Sequence, residues 1–280
     1  MKRGKWLICV AAVLTAAVLG WLIWANKALE TNTYVVTGDI PIAFDGYRIA
    51  QISDLHNATL GKDNQKLLSA LRAADPDLIA ITGDLVDSRH TNLDVAVAFV
   101  QAAVEIAPCY YVPGNHENRI SEYPQLAEAL ADAGVWILAD EKTQLQHDGA
   151  TITLVGIQDP SFHTEGGAIE DETVVGECLS ELLEPEDGFV ILLSHRPELL
   201  QTYEEHGVDL VLSGHAHGGQ VRLPWVGGVI APNQGLFPAY DGGLYIRDGT
   251  QMVVSRGLGN SLCPLRVNNR PELVLVELSR

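Results

Sequence analysis

The chain has 280 residues, enough to bury a sizeable core as one large domain or two smaller ones. Its 47% apolar and 19% charged residues are ordinary for a globular protein and exclude a disordered chain. The 36 acidic residues outnumber the 18 basic ones, and the formal charge of -18 repels nucleic acid and anionic lipid unless cations or metals intervene locally. We therefore expect a folded protein with no nucleic-acid partner.

The N-terminal segment has the pattern of a membrane anchor. Residues 1–5 form a basic tip, and residues 6–25 form an uncharged run. As a helix this run spans about 30 Å, the thickness of a bilayer core. Tryptophans lie near both ends of the run, as is common at membrane interfaces, at Trp6, Trp21 and Trp24. The basic tip predicts a cytoplasmic N-terminus, so we expect a single-pass cell-membrane protein whose folded domain lies on the extracytoplasmic face.

Two other interpretations of this segment compete with the anchor. A cleaved signal peptide usually has a shorter apolar core followed by a small-x-small site, and no such site is visible from Trp24 to Glu30. A transporter or channel subunit needs more than one spanning segment. We therefore divide the chain into the tip, the anchor, a linker with a lead-in strand at 26–46, and one domain at 47–280.

Short apolar runs rich in Ile, Val and Leu recur between helix-like stretches, which is the pattern of an α/β protein. Five of these runs are predicted to be buried strands: Tyr47 to Ser53, Asp77 to Thr82, Tyr110 to Pro113, Phe189 to Ser194 and Val208 to Ser213. Helical spacing occurs from Asn64 to Ala74 and from Tyr123 to Ala133, where Gly134 is a plausible stop. Further strands are predicted at Leu244 to Ile246, Gln251 to Ser255 and Leu273 to Leu278.

Each of the five buried strands ends in side chains that can bind a metal. These are Asp54, His56, Asp84, Asn115, His195, His215 and His217. Taken singly, Asp54-Leu55-His56 also fits a capped turn and Gly83-Asp84 a helix N-cap. The two histidines of Gly214-His215-Ala216-His217 indicate metal binding more often than packing. Because ligands of open α/β sheets bind outside the carboxyl ends of the strands, we expect these side chains to share one crevice.

The donor set predicts a metal chemistry. Seven oxygen and nitrogen donors without a thiolate suit two divalent ions, with Mn, Fe or Zn ahead of copper or an iron–sulfur cluster. Two ions can polarise phosphoryl oxygens and lower the pKa of a bridging water to produce a hydroxide nucleophile. The sequence shows no competing catalytic Ser or Cys motif. It therefore predicts a two-metal centre that hydrolyses phosphate esters.

The order of the motifs resembles that of the calcineurin-like metallophosphoesterase superfamily. The matching blocks are Asp54-Leu55-His56, Gly83 to Asp87, Gly114-Asn115-His116-Glu117, His195 and Gly214 to His217. The resemblance implies a four-layer αββα sandwich, here preceded by a transmembrane helix. It implies one metal on Asp54, His56 and His217, and another on Asn115, His195 and His215, with Asp84 bridging. By the same likeness His116 stabilises the phosphoryl oxygens or protonates the leaving group, and Asp87 supports the ligands from a second layer.

A closer likeness covers nearly the whole domain. The segments Gly218 to Pro224, Ser255 to Gly259 and Arg270 to Glu272 are similar to a branch of bacterial membrane-associated or exported phosphoesterases. That branch includes cell-envelope enzymes and a lipid-precursor pyrophosphate hydrolase. The resemblance implies hydrolysis of a phosphodiester, pyrophosphate or phosphomonoester on a cell-envelope or lipid-linked substrate. Asp87 is followed by Ser88-Arg89 and not by the Arg-Gly of the related protein phosphatases, which disfavours a phosphoprotein substrate.

Two alternatives accompany this interpretation. A pyrophosphate hydrolase acting on a lipid precursor of the UDP-diacylglucosamine type would meet a cytosolic substrate, so it would require the opposite membrane orientation. A nonenzymatic, metal-stabilised module that binds the envelope would be expected to lack a ligand or the residue at position 116. The sequence keeps all seven ligand positions and His116.

Other residues fit both a functional and a structural role. Phosphate contact and ordinary surface charge are both open for Arg256, Arg266 and Arg270. A lipid-facing groove and a core position are both open for Phe162, Trp225, Phe237 and Tyr240. Surface or loop positions are expected for His90, His147, His163 and His206. The acidic stretch from Glu165 to Glu186 is predicted to be a solvated helix with its flanks.

The cysteines do not indicate a disulfide framework. Cys9 falls in the anchor, which leaves Cys109, Cys178 and Cys263 in the domain. Three is an odd number, and the absence of a C-x-x-C pair argues against a zinc ribbon. We expect buried thiols beside strands.

Overall fold

The computed structural model of the protein describes residues 2–163, 170–185, 187–260 and 265–280. The helices in these ranges are α1 (Lys2–Ala25), α2 (Gln65–Ala74), α3 (Leu93–Ala103), α4 (Asn115–Asn118), α5 (Tyr123–Asp132), α6 (Asp171–Leu182) and α7 (Leu200–Glu205). The first eight strands are β1 (Glu30–Thr37), β2 (Arg48–Ile52), β3 (Leu78–Thr82), β4 (Cys109–Val112), β5 (Trp136–Ile137), β6 (Glu141–His147), β7 (Ala150–Gly156) and β8 (Val190–Leu193). The remaining strands are β9 (Leu210–Ser213), β10 (Arg222–Leu223), β11 (Gly227–Gly228), β12 (Ile230–Ala231), β13 (Gly235–Leu236), β14 (Gly243–Arg247), β15 (Thr250–Val254) and β16 (Glu272–Ser279).

Helix α1 carries the candidate membrane span. Within the described ranges, Lys5–Ala25 is the one helix long and apolar enough to cross a membrane. Its apolar side chains point outward all around the helix, with Leu14 and Ile23 both exposed. Its length and composition make it a candidate membrane span, while its C-terminal end packs against the domain, with Ala25 buried. This agrees with the predicted span at 6–25.

Two six-stranded sheets form the body of the domain. The first has the order β1-β16-β2-β3-β4-β5, and the second has the order β14-β15-β9-β8-β7-β6. Strands β2 to β5 run parallel, as do β7, β8, β9 and β15. The segment predicted as a linker with a lead-in strand contains β1, which pairs in parallel with β16 along its whole length. Residues 30–37 are therefore an edge strand of the first sheet.

The sheets pack face to face, and each carries helices on its outer side. Successive residues of a strand point to opposite faces. In β3, Ala80 joins the apolar cluster between the sheets and Ile81 joins the cluster under α2, α3 and α5. In β8, Ile191 joins the same central cluster and Leu192 joins a third cluster under α6 and α7. Three apolar layers therefore separate four layers of secondary structure, and the predicted αββα sandwich is confirmed.

Several predicted elements match the observed ones closely. The five buried strands are β2, β3, β4, β8 and β9, and the two helices are α2 and α5. Gly134 follows α5 with a φ of +94°, the left-handed conformation of a helix stop. Helix α6 lies within the predicted acidic helix and buries Val175 and Leu179, so only its outer side is solvated. Residues 164–169 and Glu186 of that prediction lie outside the described residues.

Candidate metal centre

The ends of five parallel strands bring the predicted ligands to one edge of the sandwich. Strands β2, β3 and β4 end together in the first sheet, and β8 and β9 end together in the second. Gln51 joins the two edges, because its Nε2 donates to Thr82 Oγ1 at 3.0 Å and to the Ser213 carbonyl oxygen at 2.8 Å. The loops that follow these strands therefore meet between the sheets.

These loops hold strained backbone. Left-handed φ angles, between 44° and 64°, occur at Asp54, His56, Asp84, His215 and His217. For residues with a Cβ, such a conformation costs on the order of 1–3 kcal/mol and is concentrated at functional sites. Close approach adds a second constraint, because a Cβ at Gly114 would lie 2.3 Å from Asp84 Oδ1. The glycines of the motifs therefore let the ligand-bearing loops touch.

The first ligand group consists of Asp54, His56 and His217, whose metal-competent atoms lie within 4.8 Å of one another. His56 Nε2 is 3.2 Å from His217 Nε2, and His217 Nε2 is 3.4 Å from Asp54 Oδ1. All three residues are buried. The grouping coincides with the set that the resemblance assigns to one metal.

The second group consists of Asp84, His195 and His215, again within 4.8 Å. His195 Nε2 lies 3.2 Å from Asp84 Oδ2, and the same oxygen lies 3.5 Å from His56 Nε2 of the first group. One carboxylate oxygen therefore faces both groups. Asn115 is buried beside them, and its side-chain oxygen has no hydrogen-bond partner among the described residues.

Neighbouring groups orient the histidines as ligands. His195 Nδ1 lies 2.7 Å from the Thr82 carbonyl oxygen, which can only accept, so the neutral, metal-binding form of the ring has its proton on Nδ1 and its lone pair on Nε2. His215 Nε2 lies 3.1 Å from Asn233 Oδ1, which leaves the lone pair on Nδ1 in the same way. Burial lowers the pKa of both His215 and His217 to about 3. Both are therefore neutral imidazoles at physiological pH.

The charge balance of the cluster fits divalent cations. Burial alone would raise the carboxyl pKa of Asp54 and Asp84, but the surrounding histidines outweigh it and hold both pKa values well below their usual range. Burial would lower the pKa of His195, and the two carboxylates raise it instead to about 10. The site thus contains buried, ionised carboxylates that are stabilised by positive charge. Together with the unpartnered Asn115 oxygen, this is the donor chemistry that a hard or borderline divalent ion requires.

His116 stands at the edge of the cluster in a defined tautomer. The Ser88 backbone N–H donates to His116 Nδ1 at 2.9 Å, so the neutral ring carries its proton on Nε2. That nitrogen lies 4.0 Å from Asp84 Oδ2. Burial lowers the pKa of His116 to about 4. The Nε2–H group is therefore a hydrogen-bond donor beside the ligand groups.

Asp87 lies behind His56, with its Oδ2 3.9 Å from His56 Nδ1. Its Oδ1 accepts a hydrogen bond from the Arg89 backbone N–H at 2.8 Å. The carboxylate is therefore held close to the ligand without belonging to either of the two ligand groups described above. This placement suits the supporting role that the resemblance implies.

A cavity of about 470 Å³ opens in front of the cluster. Its inner wall contains Asp84, Asn115, His116, His215 and His217. Its outer wall contains the cations Arg89 and Arg119 and the hairpin residues 230–233. Metal-competent side chains at the floor and two guanidinium groups at the rim form a site suited to an anionic substrate.

The part of the chain that carries the ligand groups matches a known protein family. Residues 47–219 match the family model described as calcineurin-like phosphoesterase. The chain belongs to the calcineurin-like phosphoesterase family. Members of this family use divalent metals, so the chain is a metal-dependent phosphoester hydrolase whose His/Asp groups can bind them.

Individual relatives agree with the family. The chain is 32% identical over 267 residues to an uncharacterized metallophosphoesterase, YkuE, of Bacillus subtilis, covering 89% of this chain and 85% of the relative. It is 29% identical to the phosphodiesterase YaeI of Escherichia coli, covering 72% and 70% of the two chains. It is 26% identical to the UDP-2,3-diacylglucosamine pyrophosphatase LpxG of Chlamydia trachomatis, covering 77% and 78%. Among solved structures, TT1561 of Thermus thermophilus aligns with a TM-score of 0.52 at 17% identity, covering 76% and 90%.

Two of the arginines of this calcineurin-like phosphoesterase whose role the sequence left open, Arg256 and Arg270, take part in contacts away from the cavity. Arg256 Nη2 lies 3.1 Å from both Glu30 Oε2 and Glu272 Oε1, at the start of β1 and β16, and it does not line the cavity. Arg270 donates to the Ala28 and Leu29 carbonyl oxygens. The cavity cations are Arg89 and Arg119, which we did not single out as phosphate contacts. The sequence feature that could have indicated them is their position two or three residues after a motif residue.

Arg266 is fully buried behind the first ligand group. Its Nη1 donates to the Arg256 carbonyl oxygen at 2.6 Å, and its Nη2 lies 3.5 Å from His217 Nδ1. Burial lowers its pKa to about 10, with the charge of Asp54 acting in the opposite direction. The side chain therefore backs a ligand and does not reach the cavity.

Glu117 is a site residue for which no role was predicted, although it belongs to the Gly114 to Glu117 motif. It is completely buried, and its Oε2 accepts from the backbone N–H groups of Asp84 at 2.9 Å and Gly114 at 2.8 Å. Burial and the charge of Asp84 raise its pKa to about 7. Glu117 thereby ties the loop after β3 to the loop after β4, which together carry Asp84 and Asn115.

A buried ion pair supports His195 from the other side. Arg196 Nη2 donates to Asp159 Oδ1 at 2.9 Å, and the guanidinium Nε bonds the other carboxylate oxygen. The Asp159 backbone N–H donates to the Pro113 carbonyl oxygen at 3.0 Å. The pair therefore links the loop after β8 to the loop after β4.

The remaining histidines lie away from the cavity. His163 pairs with Asp140 at 2.8 Å, His206 bonds the Thr202 carbonyl oxygen, and His147 packs against Phe44 and Tyr47. His90 is exposed. None of the four lines the cavity described above.

The structure also gives positions for the cysteines and for the aromatic residues whose role the sequence left undecided. Cys109 is buried in β4 and Cys178 is half-buried on α6, and burial raises the pKa of each thiol to about 12. Cys263 lies outside the described residues. Phe162 packs on Tyr123 and Tyr240 packs on Tyr245, whereas the hairpin residues Trp225 and Phe237 are exposed.

Proposed function

We propose that this calcineurin-like phosphoesterase hydrolyses a phosphodiester or pyrophosphate bond of a cell-envelope or lipid-linked substrate, using two divalent ions. The observation that carries the proposal is the position of Asp84 Oδ2, which lies 3.5 Å from His56 Nε2 and 3.2 Å from His195 Nε2. A carboxylate oxygen shared by two ligand groups suits a pair of ions about 3.5–4 Å apart. Asp54, His56 and His217 would hold one ion, and Asn115, His195 and His215 the other.

When bound, the ions would polarise the phosphoryl oxygens and activate a water molecule. The chain's own residues supply the rest of the chemistry. His116 directs an Nε2–H donor at the cluster edge, where it can donate a hydrogen bond to a phosphoryl oxygen or to the leaving oxygen. Arg89 and Arg119 at the cavity rim hold a second anionic group of the substrate by charge-assisted hydrogen bonds. The relatives named phosphodiesterase and pyrophosphatase support a bond between a phosphorus atom and a large leaving group.

We infer that the protein is anchored by residues 6–25, with the basic tip 1–5 in the cytoplasm and the domain 47–280 on the extracytoplasmic face. The apolar surface of α1 and the positive charge before it support this topology. Protease treatment of spheroplasts is expected to degrade the domain while the cells stay intact. Protection of the domain would reverse the orientation, and it would favour the alternative of a cytosolic nucleotide-linked lipid precursor.

The activity is tested with the full chain in detergent, supplied with Mn²⁺, Zn²⁺, Mg²⁺ or chelator. We expect metal-dependent hydrolysis of bis-p-nitrophenyl phosphate, with p-nitrophenyl phosphate as the monoester comparison. His116→Ala is expected to lower kcat by about 10²–10³-fold, the range for the loss of one hydrogen-bond donor to the transition state. Asp84→Asn is expected to abolish turnover and to lower the bound metal. His206→Ala, which removes a histidine away from the cavity, is the matched control.

The outcomes separate the enzyme from a binding module. Metal bound by the unaltered chain without turnover of either ester or of a diacylglycerol pyrophosphate would support the nonenzymatic alternative. Turnover that survives Asp84→Asn would contradict the two-ion arrangement.

A further inference from the structure

Two short hairpins beside the site carry an uncharged, exposed apolar surface. Strands β10 and β11 form the first hairpin, and β12 and β13 form the second. From Leu223 to Tyr240 the chain has no charged residue, although its net charge is -18. The large apolar side chains exposed here are Leu223, Trp225, Val226, Ile230, Leu236 and Phe237, which we name the apolar hairpin face. Trp225 is fully exposed, at 103%, so nothing within the described chain covers it.

The apolar hairpin face is joined to the end of the membrane span through one segment, residues 265–270. On one side, the Asn26 Nδ2 donates to the Arg266 carbonyl oxygen at 2.9 Å, and the Arg266 N–H donates to Asn26 Oδ1 at 2.8 Å. On the other side, the Arg222 N–H at the base of the first hairpin donates to the Val267 carbonyl oxygen at 3.0 Å. The hairpins therefore lie one segment away from the point where α1 leaves the bilayer.

Aromatic and polar groups mark that exit point. Trp24 stacks under the Arg270 guanidinium, whose carbon lies 5.1 Å from the ring centre. Trp21, Trp24 and Asn268 line a common polar pocket, and Asn268 Nδ2 also donates to the Arg222 carbonyl oxygen. Tryptophan and arginine side chains of this kind occupy the headgroup region of a membrane. The apolar hairpin face thus continues from an element that already sits at the lipid surface.

The second hairpin is also a wall of the active-site cavity. Ile230, Ala231, Pro232 and Asn233 line the cavity, and Asn233 Oδ1 bonds His215. The side chain of Ile230 belongs to both surfaces, since it lines the cavity and is half exposed. A molecule whose apolar part lies on the hairpins would therefore have its polar end at the ligand groups.

We propose that the apolar hairpin face is a second membrane contact, embedded in the interface of the bilayer that α1 crosses and holding the cavity mouth against it. Because residues 223–240 include no charged side chain, their insertion does not require a charge to be desolvated. For the same reason this surface does not repel anionic lipid, as the acidic remainder of the domain does. An amphipathic aromatic surface is also the composition that membrane interfaces select. With respect to substrate, the inference rests on the proposed function, because it implies a phosphate ester attached to a lipid.

The position of Trp225 tests the proposal without any assay of activity. The full chain is placed in nanodiscs of phosphatidylcholine, or of phosphatidylcholine brominated near the top of the acyl chain. The emission lost on Trp225→Phe isolates the Trp225 signal, which we expect to be largely quenched by the brominated lipid and protected from aqueous iodide. Trp136→Phe is the matched control, because Trp136 is exposed on β5, at the opposite edge of the first sheet from β1. Its signal should be quenched by iodide and not by bromine.

Two results would overturn the proposal. Quenching of the Trp225 signal by iodide and not by bromine would place the hairpins in water. Protection of the Trp225 signal from both quenchers would show that protein, such as a second copy of the chain, covers the hairpins. Neither result depends on hydrolysis, so a chain that turns over phosphate esters with Trp225 in water would refute this inference and leave the proposed function standing.

Discussion

Gly83 occupies a turn where both the backbone and its neighbours exclude a side chain. Its φ is +90°, and a Cβ at this position would lie 2.7 Å from His195 Nδ1 and 2.8 Å from the Gly114 Cα. Gly149, in the turn between β6 and β7, has a similar φ of +82°, but no atom lies within 4 Å of its Cβ position. The pair of substitutions Gly83→Ala and Gly149→Ala therefore separates the cost of the backbone conformation from the cost of the close approach.

Both substitutions place an alanine in a left-handed conformation, which costs about 1–2 kcal/mol. Gly83→Ala adds an overlap with atoms of two loops, and overpacking of this kind costs about 1–3 kcal/mol more. We therefore expect Gly149→Ala to destabilise the domain by about 1–2 kcal/mol and Gly83→Ala by about 2–5 kcal/mol. The overlap also pushes His195 away from the Thr82 carbonyl oxygen that fixes its tautomer, so hydrolysis should fall at least tenfold in Gly83→Ala alone.

Urea unfolding of the full chain in detergent, followed by circular dichroism, measures the two free energies under identical conditions. Turnover of bis-p-nitrophenyl phosphate is measured on the same preparations. Equal unfolding midpoints together with equal turnover would refute the reasoning, because they would show that the loops around Gly83 accommodate a methyl group without moving His195.

Three further outcomes follow from the site. Glu117→Gln leaves one backbone donor of the two loops without an acceptor and should lower the free energy of unfolding in urea by about 1–3 kcal/mol. The control Glu128→Gln removes an exposed carboxylate and should leave this free energy unchanged. Equal unfolding midpoints for the two variants would contradict the role of Glu117 in joining the two loops. Divalent metal at 100-fold above its Kd should raise the free energy of unfolding by about 2.7 kcal/mol over the chelated protein, and the absence of a thermal shift would contradict a metal centre. Arg89→Ala and Arg119→Ala should each lower kcat/KM by about 10-fold to 100-fold, because each removes a hydrogen bond to a charged group. The control Arg247→Ala removes an ion pair with Glu204 and should leave kcat/KM unchanged.

The convergence of the ligands within each sheet could be predicted because it follows from strand direction. When several buried strands run parallel, their carboxyl ends lie at one edge, and the residue just after each strand reaches that edge whatever the loops do. Asp54, Asp84 and Asn115, which follow β2, β3 and β4, illustrate this within the first sheet. The 3.2 Å distance between Asp84 and His195, which follows β8 of the second sheet, depends in addition on how the two sheets pack. The roles assigned to these residues as metal ligands stay predictions until metal binding is measured.

The remainder of the site depends on contacts that sequence spacing does not encode. Glu117 acts through backbone groups 33 and 3 residues away, and nothing in its neighbourhood distinguishes it from a helix-start glutamate. Arg256 looks like a phosphate contact by its place in a motif, but β1 and β16 bring Glu30 and Glu272 against it. Glu30 lies 226 positions from Arg256 in the sequence, so only the closed sheet reveals that contact.

The structure also shows that the end of the candidate membrane span is hydrogen-bonded to the domain close to the site. Helix α1 ends at Ala25, Asn26 bonds the backbone of Arg266 in both directions, and β1 begins at Glu30. Arg266 in turn is buried behind His217, and its guanidinium is satisfied mainly by carbonyl oxygens, which fix its position. Two contacts, Asn26 with Arg266 and Arg266 with His217, thus connect the end of α1 to the first ligand group. A flexible anchor would let the cavity sample any direction. With α1 in the bilayer, as we propose above, this connection would instead hold the cavity at one height and one orientation relative to the lipid surface. Such a connection would favour substrates that are themselves held at the membrane over substrates that diffuse in from bulk solution.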